Sequence, residues 1–170
     1  MGASGDARGL RARSVTVGYG KDAPILEDLS LDVLQGQLTV IVGPNACGKS
    51  TLLRSLARVL GVRSGVVELD GRALTTMNQK ELARRLGLLA QSSTAPADIL
   101  VEDLVARGRY PHQSILRQWS AEDDEAVAWA MRQAGVEALA RRRVGELSGG
   151  QRQRVWIAMV LAQSTDIVLL

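Results

Sequence analysis

Hydrophobic positions change period several times along the chain, and each change marks an element. Ser14 to Tyr19 (SVTVGY) and Asp28 to Val33 (DLSLDV) alternate apolar with polar or small residues. That period of two predicts half-buried strands. Leu38 to Val42 (LTVIV) is apolar on both faces and rich in β-branched residues, which predicts a central parallel strand covered on both sides. A Gly-rich turn follows. Leu52, Leu53, Leu56 and Leu60 then recur at helical spacing and predict a helix over Ser50 to Leu60 with one buried stripe. Gly65 to Asp70 reads as a strand entering a turn at Gly71, Gln79 to Arg85 as a short helix, and Leu86 to Ala90 as a second buried strand. A loop of Ser, Thr, Ala and Pro runs from Gln91 to about Ala97. From Glu102 to Glu146 only helical patterns occur, over Glu102–Arg107, Glu122–Ala134 and Val136–Arg141. Ser148 to Leu161 is a further helix, and Asp166 to Leu170 opens another buried strand. The first dozen residues read as a loose tail. Strands and helices in this order predict an α/β layer with a helical insertion.

Composition narrows the class. A chain of 170 residues fits one domain on a scale of roughly 100–200 residues each. With 46% hydrophobic and 23% charged residues it can build a core, which excludes disorder. The net charge of +3 is too small to point to nucleic acid. A single cysteine, Cys47, excludes an internal disulfide framework and fits a reducing compartment. A single histidine, His112, excludes a His-rich metal site. No run approaches the roughly 18 apolar residues of a membrane span. Met1 to Ser14 lacks the apolar region of a signal peptide, and Asp6 stands where myristoylation needs Ser or Thr. The expected location is the cytoplasm. Trp119, Trp129 and Trp156 read as core residues.

Two motifs carry chemistry. Gly43-Pro44-Asn45-Ala46-Cys47-Gly48-Lys49-Ser50 fits G-x4-G-K-[ST] in full, between a predicted buried strand and a predicted amphipathic helix. Its glycines let consecutive amides converge on phosphate oxygens, and the helix behind them adds its positive end. Lys49 is placed for the β- and γ-phosphates, and the Ser50 hydroxyl for Mg²⁺. Cys47 fills a variable position of the motif. The second motif is Leu147-Ser148-Gly149-Gly150-Gln151-Arg152-Gln153-Arg154. Ser148 caps a helix, and two glycines expose its first amides, which makes a second anion cradle. Two such cradles in one chain suggest that the second serves a nucleotide held by another subunit.

With Leu147–Gln151 (LSGGQ) beside the phosphate loop, the chain resembles the nucleotide-binding domain of ABC transporters across residues 13–170. The resemblance implies a P-loop ATPase core with an N-terminal antiparallel β-subdomain over 13–91, a helical subdomain over 92–146, and a signature helix with the start of the following strand over 147–170. It implies ATP and Mg²⁺ as ligands. Gly43, Pro44, Asn45, Ala46, Cys47, Gly48, Lys49, Ser50 and Thr51 would hold the phosphates, Thr51 at the α-phosphate. Tyr19 would stack on adenine. Gln91 would approach Mg²⁺ and the attacking water, a catalytic role shared with Lys49. Ser148, Gly149, Gly150 and Gln151 would face the ATP of a second, head-to-tail subunit. Val101 to His112 and Arg117 to Glu122 are similar to ATPases of bacterial iron–siderophore, haem and vitamin B12 importers. This implies docking on a membrane permease at the inner face of the membrane, with a substrate-binding protein as an indirect partner and no nucleic acid.

In the family, a strand like Ile167–Leu170 leads at once into Asp-Glu, which helps hold Mg²⁺ and polarises water, and later into a D-loop and a switch histidine. None of these follows Leu170, and His112 precedes the signature motif. The resemblance therefore implies a partial ABC domain, lacking its C-terminal part, that binds Mg-ATP but hydrolyses it poorly. Two alternatives to a transport ATPase stay open: a non-catalytic nucleotide-binding fragment, and a soluble ABC protein acting on nucleic acid or the ribosome.

Overall fold

The computed structural model describes residues 8–89, 94–114 and 118–170. They form two compact units, 1–78 and 79–170, in a mixed α/β architecture.

In the first unit, β1 (Gly9–Val17) pairs antiparallel with β2 (Leu26–Leu34) and with β3 (Ser64–Leu69), and β3 turns into the short β4 (Arg72–Ala73). Leu10 lies opposite Val33 and Leu69, and Ala12 opposite Leu31 and Val67. Leu10, Ala12, Val15 and Val17 are all fully buried. Those positions change parity between 12 and 15. A bulge at Ser14, whose φ is 47°, inserts the extra residue that keeps the apolar side chains on one face. β1 starts at Gly9, so the tail expected over residues 1–12 is already strand at its end. Flanking strands cover Leu10 and Ala12, a tertiary context that Arg and Gly neighbours conceal.

Helix α1 (Lys49–Leu56) packs against β1 with Leu52 and Leu56 buried. It ends earlier than the leucine spacing predicts. Arg58 is left-handed, with φ of 56°, and its guanidinium donates to the carbonyls of Leu74 and Met77. The amides of Val59 and Leu60 both return to the Arg54 carbonyl, at 2.8 and 3.0 Å, and close the last turn. A second expectation is overturned at Leu38–Val42. This segment is not a strand, and Leu38 is 91% exposed. A central strand is hydrogen-bonded to a neighbour on each edge, and neither sheet among the described residues includes this segment.

The second unit joins α2 (Gln79–Arg85), β5 (Leu86–Leu88), α3 (Val101–Ala106), α4 (Ala121–Gln133), α5 (Gly149–Ala162) and β6 (Ile167–Leu169). β5 and β6 pair in parallel, Leu86 opposite Ile167 and Leu88 opposite Leu169. Between them the longer elements among the described residues are helices and 3-10 turns, as the periodicity predicts, with one isolated antiparallel bridge between Leu100 and Arg143. The expected Val136–Arg141 helix shrinks to a 3-10 turn at Glu137–Leu139. α3, α4 and α5 enclose a core of Val101, Leu104, Val105, Ala130, Met131 and Val155. Trp156 packs against that core, but Trp119 and Trp129 are exposed. The Trp119 indole donates to Asp124 at 2.7 Å, since one end of the ring needs a polar partner.

An ion pair locks these helices. Arg109 and Asp123, each 1% exposed, meet at 2.8 Å. The same guanidinium donates to the Ala162 carbonyl at 2.9 Å and to the Ser164 hydroxyl at 3.1 Å, both at the end of α5. Asp123 also accepts from the Ser120 amide and hydroxyl at 3.0 Å, which caps α4. Gly108 makes this approach possible, because a Cβ there would lie 2.1 Å from the Met159 carbonyl. Burial raises the affinity of the Asp123 carboxyl for a proton. Hydrogen bonds from Arg109 and Ser120, with the guanidinium charge, outweigh it and hold the group below the ordinary carboxylate value.

Asp123→Asn leaves the Arg109 charge buried without its counterion and is expected to cost about 3–5 kcal/mol in urea unfolding. A depressed native value places this stabilisation above the unfolded carboxylate value. It is therefore complete at neutral pH and drains away as the pH falls below about 4. A variant as stable as the parent, or one with the same acid sensitivity, would show that the pair does not lock the helices.

Candidate functional site

Between Val42 and α1 the chain makes a tight loop with two left-handed residues, Ala46 (φ 65°) and Gly48 (φ 95°). Gly48 is buried, whereas Gly43, Pro44, Asn45, Ala46 and Cys47 are exposed. A Cβ on Gly48 would lie 2.9 Å from Leu26 Cδ2 and 3.0 Å from Ile25 Cγ2. Left-handed geometry and lack of room both require glycine there. α1 then begins without a side-chain cap and without an acidic residue in its first turn to offset its positive end. Lys49 Nζ donates across the loop to the carbonyls of Gly43 (2.9 Å) and Pro44 (2.5 Å) and lies 3.7 Å from Cys47 Sγ. An ammonium, an uncapped helix start and an exposed bend of backbone together fit a phosphorylated anion.

No group of three His, Cys, Asp or Glu side chains among the described residues could hold a metal. A cation at this loop would take the Ser50 hydroxyl, with phosphate and water completing its oxygen shell. That donor set fits Mg²⁺, which keeps most of its waters, and not an ion that needs a protein cage.

Tyr19 stands at the same end of the first unit. Its phenol accepts a hydrogen bond from Arg54 Nη1 at 3.1 Å and bonds the hydroxyl of the buried Thr51, yet the residue is 42% exposed. Hydrogen bonds from Thr51 and then Arg54 hold the phenol below its ordinary pKa. Tyr19, Gly43–Gly48, Lys49, Ser50 and Thr51 lie in the same unit. Arg54 belongs to no motif. Its only signal is helical spacing, three residues after Thr51 on α1.

The second motif opens α5 in the other unit. The Ser148 hydroxyl accepts from the Gln151 amide at 3.3 Å, and Gln151 Oε1 accepts from the Ser148 amide at 3.0 Å, a reciprocal capping box. Gly149 and Gly150 are exposed, have ordinary helical backbone, and a Cβ on either would meet nothing within 4 Å. Packing within the chain therefore gives no reason for glycine at either position. Gln91 lies outside the described residues, so its expected place beside Mg²⁺ has no geometry here. A separate cavity of about 580 Å³ in the second unit is lined by His112, Glu122, Glu125, Trp129 and Val168, among others, and by none of the motif residues.

Both motifs fall within residues 26–170, which match the family model described as ABC transporter. The chain belongs to the ABC transporter family. This ABC chain is 54% identical over 161 residues to the ferric enterobactin transport ATP-binding protein FepC of Escherichia coli, covering 95% of this chain and 59% of that protein. It is 42% identical to the iron(3+)-hydroxamate import ATP-binding protein FhuC of Bacillus subtilis, covering 95% and 60%. Against the hemin import ATP-binding protein HmuV of Bordetella bronchiseptica the identity is 45%, covering 91% and 57%. The chain thus spans about three fifths of the length of these relatives. Among solved structures, an inward-facing metal-chelate type ABC transporter superposes with a TM-score of 0.75 at 26% identity, covering 95% of this chain and 58% of that one. A bacterial Atm1-family ABC exporter with ATP bound gives 0.80 at 29% identity, covering 95% and 29%. No helix of the described residues is long and apolar enough to cross a membrane.

The two glycine sites of this ABC chain differ in what replacement costs. Gly48→Ala is expected to lose about 1–2 kcal/mol from its left-handed backbone, with the Leu26 contact adding to that. Gly150→Ala is expected to keep or slightly raise stability, since alanine suits a helix better. Thermal unfolding of both variants checks this. The reverse order would show that the packing around the two helix starts is misread.

Proposed function

We propose that this chain is the nucleotide-binding part of an ATP-hydrolysing subunit that energises a bacterial ABC importer for iron–siderophore complexes. The observation that carries the nucleotide reading is the uncapped start of α1 with Lys49 lying across it. The printed names of FepC and FhuC support an iron-chelate cargo.

In this reading, backbone amides of Gly43–Gly48 and the head of α1 grip the phosphates, with Lys49 exchanging its loop carbonyls for β- and γ-oxygens. Thr51 adds a hydroxyl at the α-phosphate, and Tyr19 stacks on adenine. Ser50 and Gln91 hold Mg²⁺, which when bound neutralises the charge that develops on the phosphates. Gln91 also orients water. Ser148, Gly149, Gly150 and Gln151 close on the nucleotide of a second subunit arranged head to tail. Bare glycines at the start of α5 let another molecule's phosphates come close to the helix amides. Residues 92–146 form the helical subdomain that meets the membrane permease, and a substrate-binding protein delivers the chelate on the far side. The subunit sits in the cytoplasm, peripheral to the membrane.

Lys49→Ala is expected to weaken ATP binding roughly a hundredfold, as the loss of a charge-assisted contact of about 2–3 kcal/mol requires. Isothermal titration on the full chain measures this, and unchanged affinity would overturn the phosphate-loop reading. Ser148→Arg is expected to leave ATP binding intact but abolish ATP-driven dimerisation in sedimentation experiments on the subunit. Dimers formed by that variant would remove the signature motif from the interface.

A further inference from the structure

Tyr19 sits two residues past the end of β1, in a turn closed by the Asp22 amide on its carbonyl at 3.3 Å. An aromatic ring on such a turn stacks well only if something fixes both its backbone and its ring. Stacking on a base depends on offset geometry. Immobilising a free side chain on each binding event takes back part of what stacking contributes.

Both ends of Tyr19 are held by arginines from the same unit. Arg63, just before β3, donates through Nη2 to the carbonyls of Tyr19 at 3.1 Å and Gly20 at 3.2 Å. A Cβ on Gly18 would lie 2.7 Å from that nitrogen, so a side chain there would push the guanidinium off both carbonyls. Arg54, on α1, donates to the phenol oxygen at 3.1 Å. It lies one helical turn beyond the phosphate loop, so the helix that presents its start to phosphate also anchors the ring. The ring remains partly exposed between these anchors.

We propose that Arg54 and Arg63 are positioning residues that hold Tyr19 ready to stack on the base of the bound nucleotide. This rests on the stacking role of Tyr19 proposed above. Neither arginine touches the nucleotide. Their effect is confined to the base-dependent part of the affinity, and the phosphate-dependent part belongs to the loop. The Arg54–Tyr19 hydrogen bond is lost with either end, and Tyr19→Phe, which also gives up the bond to Thr51, takes away at least as much as Arg54→Met.

Two probes separate the parts: ATP, and inorganic tripolyphosphate, which carries the phosphates without a base. Their affinities are measured by titration calorimetry on the full chain and its Arg54→Met, Tyr19→Phe and Gly18→Ala variants. Each substitution is expected to weaken ATP binding about threefold to tenfold and to leave tripolyphosphate affinity unchanged. The Arg54→Met/Tyr19→Phe double variant is expected to bind ATP no more weakly than the worse single variant. An unchanged ratio of ATP to tripolyphosphate affinity in Arg54→Met, an equal loss for both probes, or additive losses in the double variant would overturn the proposal. A parent chain that binds neither probe, or binds ATP no more tightly than tripolyphosphate, would instead remove the nucleotide or stacking reading beneath it.

Discussion

At Gly48 the chain turns through a φ of 95° immediately before α1, with the Leu26 and Ile25 side chains too close to admit a Cβ. That turn decides which way the loop 43–48 faces and leaves the positive end of α1 without a capping side chain. A helix normally satisfies its first amides with a Ser, Thr, Asp or Asn at its start. Here the residue before Lys49 has no side chain at all, and the first turn carries no acid that could stand in. The charge of Lys49 is parked on two loop carbonyls a short reach away. Electrostatics and hydrogen-bond demand thus point to one kind of occupant, an anion with several oxygens. β1 and α1 supply the backing, and Tyr19 stands beside them with its phenol held by Arg54.

The start of α5 solves the same problem in the opposite way. Ser148 and Gln151 satisfy each other's amides, so this helix is stable without a ligand. Its two glycines add nothing to packing within the chain, and their bareness has a use only when something outside approaches. One helix start is open and the other is self-capped, a difference that supports the shared site proposed above. Behind α5, the buried Arg109–Asp123 pair ties the end of that helix to the start of α4.

Much of the candidate site was legible because its chemistry is local. The spacing from Gly43 to Ser50 and the Leu147–Gln151 run specify loop conformation and helix start within a few residues, and the structure places both at helix starts. Elements held by distant partners were not legible. Leu38–Val42 has the composition of a central strand, but pairing decides whether it is one. The leucine stripe of α1 continues to Leu60, while a left-handed Arg58 bound to Leu74 and Met77 stops the helix. The Ser14 bulge hid the true start of β1 by shifting the alternation by one residue. Arg109 looks like a surface residue, and its partner is fourteen positions away. The exposure of Trp129 is likewise a matter of helix orientation, which composition does not record.

The most direct test of the account is amide hydrogen exchange of the full chain with and without saturating Mg-ATP. Nucleotide is expected to slow exchange across residues 43–54 and at Tyr19, where the open helix start and the anchored ring meet it. The core amides of α4, around Ala130 and Met131, are expected to keep their rates. Unchanged exchange over residues 43–54 at saturating nucleotide would contradict the claim that this loop and helix start hold the phosphates.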